Sequence, residues 1–339
     1  MVRVGIVGIS GFGGKVLLDL LLRHKDVRVT YVAANSSTGK VSDIWPEFRN
    51  RTELVCAKYD AAQAIEHCDL VFLALPHTES MNVAGALLNA GKKVIDLSAD
   101  YRLKKSALYK KWYSAEHKDR KNLAKAVYGL PEIFRAKVKK ARLIANPGCY
   151  PTAAILGLAP LVSVHGSKVS NVIIDAKSGV SGAGRKVAEG FMYCFVNENF
   201  KAYRVLTHQH TPEIAQIVSL VAGKTMNPIF VPHLLPINTG ILETIYVSLS
   251  SRIMADSLDV LYRKFYKTEP FVRVLPQGTQ AEIKNVVNTN FCDISLAVSE
   301  DGKTVVITSA IDNLVKGAAG QAVQNMNIMY GFPEAESIL

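Results

Sequence analysis

The chain opens on Val2–Val7, a β-branched run, passes through Gly8-Ile9-Ser10-Gly11-Phe12-Gly13-Gly14, and continues into Lys15–His24 with leucines at helical spacing. A strand, a glycine-rich turn and a helix in that order leave few folds open. The glycines let backbone pass close to a neighbour, and the helix must pack back on the sheet that its strand joins. The alternation goes on: Val27–Ala33, Leu70–Leu75 and Lys93–Leu97 read as strands, and Ala84–Ala90 as a helix ending at Gly91. This predicts an α/β fold built on a doubly wound parallel sheet of the Rossmann type, over residues 1–147. After Asn146 the pattern changes. Val169–Ala176, Ile229–Val231, Leu242–Ser250, Asp293–Val298 and Thr304–Ala310 read as strands of a second, mostly antiparallel sheet in an α+β domain, 148–312. Asn313–Tyr330 reads as a closing helix that packs back on the first domain. The 339 residues suit two domains of about 100–200 residues each.

In its strand–turn–helix context the glycine turn is a cradle for a dinucleotide pyrophosphate, with Gly8, Ser10, Gly11, Phe12, Gly13 and Gly14 as contacts. A carboxylate at the end of the second strand would select a free ribose 2′-hydroxyl. That strand ends instead in Ala34-Asn35-Ser36-Ser37-Thr38-Gly39-Lys40, where Ser36, Ser37 and Lys40 suit a 2′-phosphate. NADP is therefore expected over NAD; the alternative is a plain polar turn.

The net charge of +11 has two readings: a basic surface without a dedicated partner, or a field that steers an anionic substrate and cofactor. The lysines and arginines concentrate in Arg102–Lys125 and Arg135–Arg142, which resemble solvated helix faces. No nucleic-acid module or aromatic-interleaved basic stripe is present, so no nucleic-acid partner is expected. The longest apolar run, Ala153–Val164, is shorter than the roughly 18 residues that a membrane span needs, and it contains Pro160. With no leader pattern before Val2, a mature, cytoplasmic chain is expected. The five cysteines (Cys56, Cys68, Cys149, Cys194, Cys292) are scattered without a C-x-x-C pair, so neither disulfides nor a metal site is expected, and four of them should only fill space.

Cys149 differs from the rest. In Asn146-Pro147-Gly148-Cys149-Tyr150-Pro151-Thr152 it precedes an apolar helical run, and Pro151 suits the first turn of a helix. A cysteine at a helix N-terminus meets the positive end of the macrodipole and unbonded N–H groups, which favour a thiolate and could hold an oxyanion. Thr207-His208-Gln209-His210-Thr211 places two imidazoles two residues apart, on one side of an extended segment. They are either structural or the base for a cysteine nucleophile. His77 and His233 are weaker candidates; His24, His67, His117 and His165 look incidental.

Taken together, these stretches resemble the N-acetyl-γ-glutamyl-phosphate reductases of the aspartate-semialdehyde dehydrogenase superfamily. The resemblance spans Gly8–Gly14, Asp96–Leu103, Asn146–Thr152, Lys177–Arg185, Asn197–Tyr203, Asn290–Asp293 and Ala310–Ala322. It implies NADPH-dependent reduction of an acyl phosphate to an aldehyde through a thioester on Cys149, in arginine biosynthesis. His210 would be the acid/base, with His208 nearer the substrate. Arg102, Asn146 and Arg185 would touch the substrate, and Ser178, Gly179 and Asn313 the cofactor. A homodimer or homotetramer is implied, with Tyr193–Val196 and the second sheet as candidate contacts. One departure is visible: Pro236-Ile237-Asn238-Thr239-Gly240 has Thr239 where members commonly carry arginine. Three alternatives stay open: the same chemistry on an aminoadipyl phosphate linked to an acidic carrier protein (lysine biosynthesis), the same chemistry on aspartyl phosphate, and a non-catalytic NADP-binding regulator.

Overall fold

In the computed structural model, which describes Met1–Leu339 except Ser36 and Lys186, the chain divides into two units: Met1–Gly148 with Ala318–Leu339, and Cys149–Gly317. In the first unit, six parallel strands lie in the order Val27–Ala33, Val2–Val7, Leu70–Leu73, Lys93–Asp96, Leu143–Ala145, Val127–Tyr128. The inner strands are apolar without alternation (Leu70–Leu73 is buried throughout), as expected of a parallel sheet covered on both faces. The order reverses at Val2–Val7, so the turn that follows Val7 stands at the topological switch point, where such sheets bind ligands. The helix after that turn spans Phe12–Leu21, with Gly11 as its cap residue.

The second unit holds a seven-stranded sheet in the order Lys201–Ala202, Ile229–Leu234, Val169–Ser178, Ile241–Leu249, Thr304–Ile311, Cys292–Val298, Val272–Val274. Two of its pairings are parallel and the rest antiparallel. One helix, Cys149–His165, is buried at every position from Tyr150 to Val162 and packs on Ile241–Leu249 and Thr304–Ile311. Gly157 lets it approach: a Cβ there would stand 2.9 Å from Cδ1 of Ile245.

Three expectations need correction. The apolar run is longer than it looked: with its last turn it extends over Cys149–Lys168 and is long enough to cross a membrane, although most of it is buried in the unit's core. Pro160 does not end the helix, because Tyr266 donates its hydroxyl to Leu156 O, the carbonyl that the absent N–H leaves open, and Tyr262 donates to Gly157 O at 2.6 Å. The helix expected over Asn313–Tyr330 is interrupted. Asp312 Oδ1 accepts the N–H groups of Leu314 and Val315, a π-turn runs over Val315–Ala319 with Gly317 N–H on Asp312 O, and the α-helix is Gly320–Tyr330. Finally, Arg102 is no surface cation, being only 5% exposed.

Candidate active site

Cys149 is the first residue of its 17-residue helix, half-buried, with Pro151 in the first turn. Its Cα packs against the π-turn: a Cβ built on Gly317 would lie 2.8 Å from the Cβ of Cys149 and 3.1 Å from its Cα. No larger residue than glycine fits there without moving the cysteine. Cys56, Cys68 and Cys292 are buried fillers, whereas Cys194 is exposed and fills nothing.

The next residue, Tyr150, gathers the rest of the site. Its ring meets His208 at 5.6 Å, His210 at 5.9 Å and Phe230 at 5.2 Å between centroids, all edge-on, and its hydroxyl pairs with that of Tyr203 at 3.0 Å. Burial pushes the Tyr150 phenol far above its ordinary value, and the Tyr203 hydroxyl and the charge of Cys149 push the same way. Burial also lifts Tyr203, to about 12, with Cys149 again adding to the rise. Both phenols are thus held neutral, and both feel the charge of Cys149. Phe230 comes from a distant part of the chain and carried no signal in the sequence; Tyr203 closed one of the resembling stretches and Tyr150 stood in the cysteine motif, but neither was given a role.

The two imidazoles are 4.9 Å apart. They meet through a tight turn rather than the extended segment expected: Nδ1 of His208 accepts the backbone N–H of His210 at 3.1 Å, and Thr211 N–H reaches His208 O. His208 is buried, while half-buried His210 is the cap residue of helix Thr211–Ala222.

Asn313 is buried, with Oδ1 accepting Gly240 N–H at 2.7 Å and Nδ2 donating to Ser181 Oγ at 2.9 Å, and so pins two loops together. Those loops are already close: a Cβ on Gly179 would meet Asn238 O at 2.7 Å. Ser178 is buried beneath them, Thr239 is half-buried beside Gly240, and Arg185 is exposed.

In the first unit the glycines of the turn divide by function. Gly8 (φ +104°) could carry no Cβ, which would fall 2.1 Å from Ala74 O; one on Gly14 would fall 2.3 Å from Gly8 O. Gly13 faces open space and Gly11 has only Gly8 O within 4 Å, so these two leave the helix start accessible. Trp45 braces the turn, donating Nε1–H to Ile9 O and lying against Phe12. Beyond the second strand, Ser37 O accepts from Cys56 Sγ, and Lys40 makes an exposed ion pair with Glu53; Ser36 lies outside the described residues.

Arg102 donates Nε–H to Asn146 O and an Nη2 hydrogen to Leu97 O. Asn146, expected to touch substrate, is instead fully buried, its Nδ2 on Ala318 O and its Oδ1 receiving from Asn325. That occupies both ends of its amide and makes it a structural pin. Among the described residues, no three His, Cys, Asp or Glu side chains are grouped to hold a metal ion.

Residues 3–141 match the family model described as semialdehyde dehydrogenase, NAD binding domain, and residues 149–313 the one described as semialdehyde dehydrogenase, dimerisation domain. N-acetyl-gamma-glutamyl-phosphate reductase of Desulfotalea psychrophila is 48% identical over 340 aligned positions, which cover 100% of this chain and 98% of that protein. The protein of that name from Geobacter metallireducens is 50% identical over 336, covering 98% and 97%. Among solved structures, aspartate semialdehyde dehydrogenase II of Vibrio cholerae superposes with a TM-score of 0.73 at 14% identity, covering 98% of this chain and 99% of that one. Aspartate semialdehyde dehydrogenase of Candida albicans with NADP gives a TM-score of 0.73 at 15% identity over the whole of both chains; at such identities the likeness is one of fold. The full-length matches at about half identity, carried on this fold, make the chain a member of the semialdehyde dehydrogenase family, in its branch of N-acetyl-γ-glutamyl-phosphate reductases.

Proposed function

We propose that the chain reduces N-acetyl-γ-glutamyl phosphate to N-acetylglutamate γ-semialdehyde with NADPH, releasing phosphate, as a step of arginine biosynthesis. The observation that carries this reading is Cys149 at the start of a buried helix, with Tyr150, Tyr203 and the histidine pair around it. The Cys149 thiolate attacks the γ-carbonyl carbon, the carbon–oxygen bond to phosphate breaks, and a thioester remains. The N–H groups of the first helical turn stabilise the oxyanion formed on the way. NADPH, when bound, supplies the hydride that takes the thioester to the aldehyde level. The carbon–sulfur bond then breaks as the oxyanion becomes the aldehyde carbonyl, and the departing sulfur takes back the proton held by His210. His210 takes the thiol proton at the start and returns one as the aldehyde forms. Splitting the reduction through sulfur replaces one difficult step with two easier ones.

The cofactor fits the turn: Gly11 and Gly13 have the space beside them that a pyrophosphate needs, and no carboxylate follows the second strand. Ser10, Phe12, Ser37, Lys40, Ser178, Gly179 and Asn313 are its further contacts. Arg102 and Arg185 hold the anionic groups of the substrate. A homodimer or homotetramer in the cytoplasm completes the reading, in line with the match to a dimerisation domain.

The test is to offer N-acetyl-γ-glutamyl phosphate without NADPH and measure the intact mass. One N-acetylglutamyl group should add to the wild-type chain and none to Cys149→Ala, which keeps its NADPH affinity. An adduct on Cys149→Ala, or reductase activity in that variant, removes the mechanism.

A further inference from the structure

Five cations converge on a cavity of the first unit that the chemistry above leaves unused. The cavity, of about 680 Å3, is lined by Lys121, Lys125, Lys137, Lys140 and Arg142 together with the amides Asn89 and Asn122, and by no aspartate or glutamate. Its apolar lining includes Leu88, Val127, Ala141 and Leu143. Val127 and Leu143 are the first residues of two parallel strands, so the cavity opens at the amino end of the sheet. The glycine turn follows the carboxyl end of Val2–Val7, at the opposite edge. The two places are separate.

Helix electrostatics explain only part of this cluster. Lys125 and Lys137 stand in the last turns of their helices, where a cation complements the carbonyl end. Lys121 stands in the first turn of Arg120–Lys125, where the dipole opposes it, and Lys140 and Arg142 lie outside helices. One acid borders the lining: Asp119 accepts from the Asn122 amide and from the Tyr101 hydroxyl, while Glu116 pairs with Lys110 and Arg120, and Glu334 with Arg135. Among the described residues none of the five cations forms an ion pair. Lys104, which donates to Leu123 O and Ala126 O, has its ammonium pushed down by burial and also by the charge of Lys137. Five cations against the one carboxylate of Asp119 leave an excess of positive potential here.

We propose that this cavity binds a small polyanion, one carrying two or more phosphate or carboxylate groups on a compact body. Its volume lies within the roughly 300–1,000 Å3 of small-molecule sites, and its mixed lining suits a ligand with both charge and carbon surface. Calorimetric titrations of the full chain, saturated with NADPH so that the glycine turn is filled, test this with three probes. Inorganic tripolyphosphate represents bare polyphosphate, ATP a nucleotide and citrate a polycarboxylate. At least one should bind at a single site, with an affinity lowered about tenfold or more in Lys125→Gln/Lys140→Gln, while turnover and NADPH affinity stay as in the wild type. Equal affinity in that variant, no binding by any probe, or binding that disappears when NADPH is present overturns the proposal. So does binding of a polyglutamate peptide when none of the small probes binds, which would make the cluster a protein-docking surface.

Discussion

His208 and His210 divide the labour by what their nitrogens already do. His208 spends Nδ1 as acceptor for the backbone N–H of its neighbour, which puts its own proton on Nε2 and leaves it fixing the turn. His210 caps a helix with its backbone, and its ring lies edge-on to Tyr150, the residue next to Cys149. On this basis His210→Asn should lower kcat by about 10²-fold or more, the usual worth of acid–base catalysis, with little change in NADPH binding. His208→Asn should cost less, through misplacement. Steady-state kinetics on both variants decide it, and a larger loss in His208→Asn reverses the assignment. Thr239 belongs to the same scale. It is half-buried beside Gly240, at a position where the resemblance implies arginine, so any substrate contact or salt bridge expected of that arginine needs another residue here.

The helix that Cys149 opens owes its unbroken course to a neighbour. Pro160 removes one intrahelical bond, and Tyr266 and Tyr262 serve the carbonyls around that gap. Tyr266→Phe should therefore cost about 1–3 kcal/mol, the penalty for a buried carbonyl left without a donor. Adding Pro160→Ala, which restores an N–H in the helix, should recover part of that loss. Urea unfolding of the two variants measures it, and equal stabilities of Tyr266→Phe and wild type would show that the contact does not matter. The same helix marks what the sequence made legible. Strands could be read because β-branched runs such as Val2–Val7 and Val27–Ala33 repeat with turn residues between them. Cys149 could be read because Pro-Gly before it and proline after it define a helix start. The passage of that helix through Pro160 depended on a phenol 106 residues further on, and the break at Val315–Ala319 on a side chain, Asp312, that competes with helical bonding. Local pattern reports neither. The histidine pair lay on one side as expected but for another reason, a side-chain bond that closes a turn.

Over the whole molecule, buried acids set the response to pH. Glu243 lies in the second unit's core, fully buried between Ala176 and Ser309 on the adjoining strands, with no hydrogen-bond partner for either carboxyl oxygen among the described residues. Burial pushes its carboxyl well above the ordinary range, with Lys177 acting weakly against the shift. Asp96 moves the same way, by burial and by its neighbour Asp100. A raised pKa in the folded state means that the native chain holds a proton which the unfolded chain has lost. Stability is then full below the ordinary carboxylic value and falls as pH rises through the folded one, by up to about 1.4 kcal/mol per pH unit for each such group. Glu243→Gln should flatten the decline of unfolding free energy from about pH 5 upward, leaving the part due to Asp96. An unchanged slope would mean that Glu243 is ionised or solvated in the native chain.

The glycine turn, finally, writes two instructions in seven residues. Gly8 and Gly14 answer to the fold, since backbone already occupies the space that a side chain would need. Gly11 and Gly13 answer to whatever comes from outside, because nothing of the chain itself crowds them. For anyone redesigning this scaffold, the outer glycines are the foundation and the inner two are the doorway; an inert yet folded version would be sought at Gly13, never at Gly8.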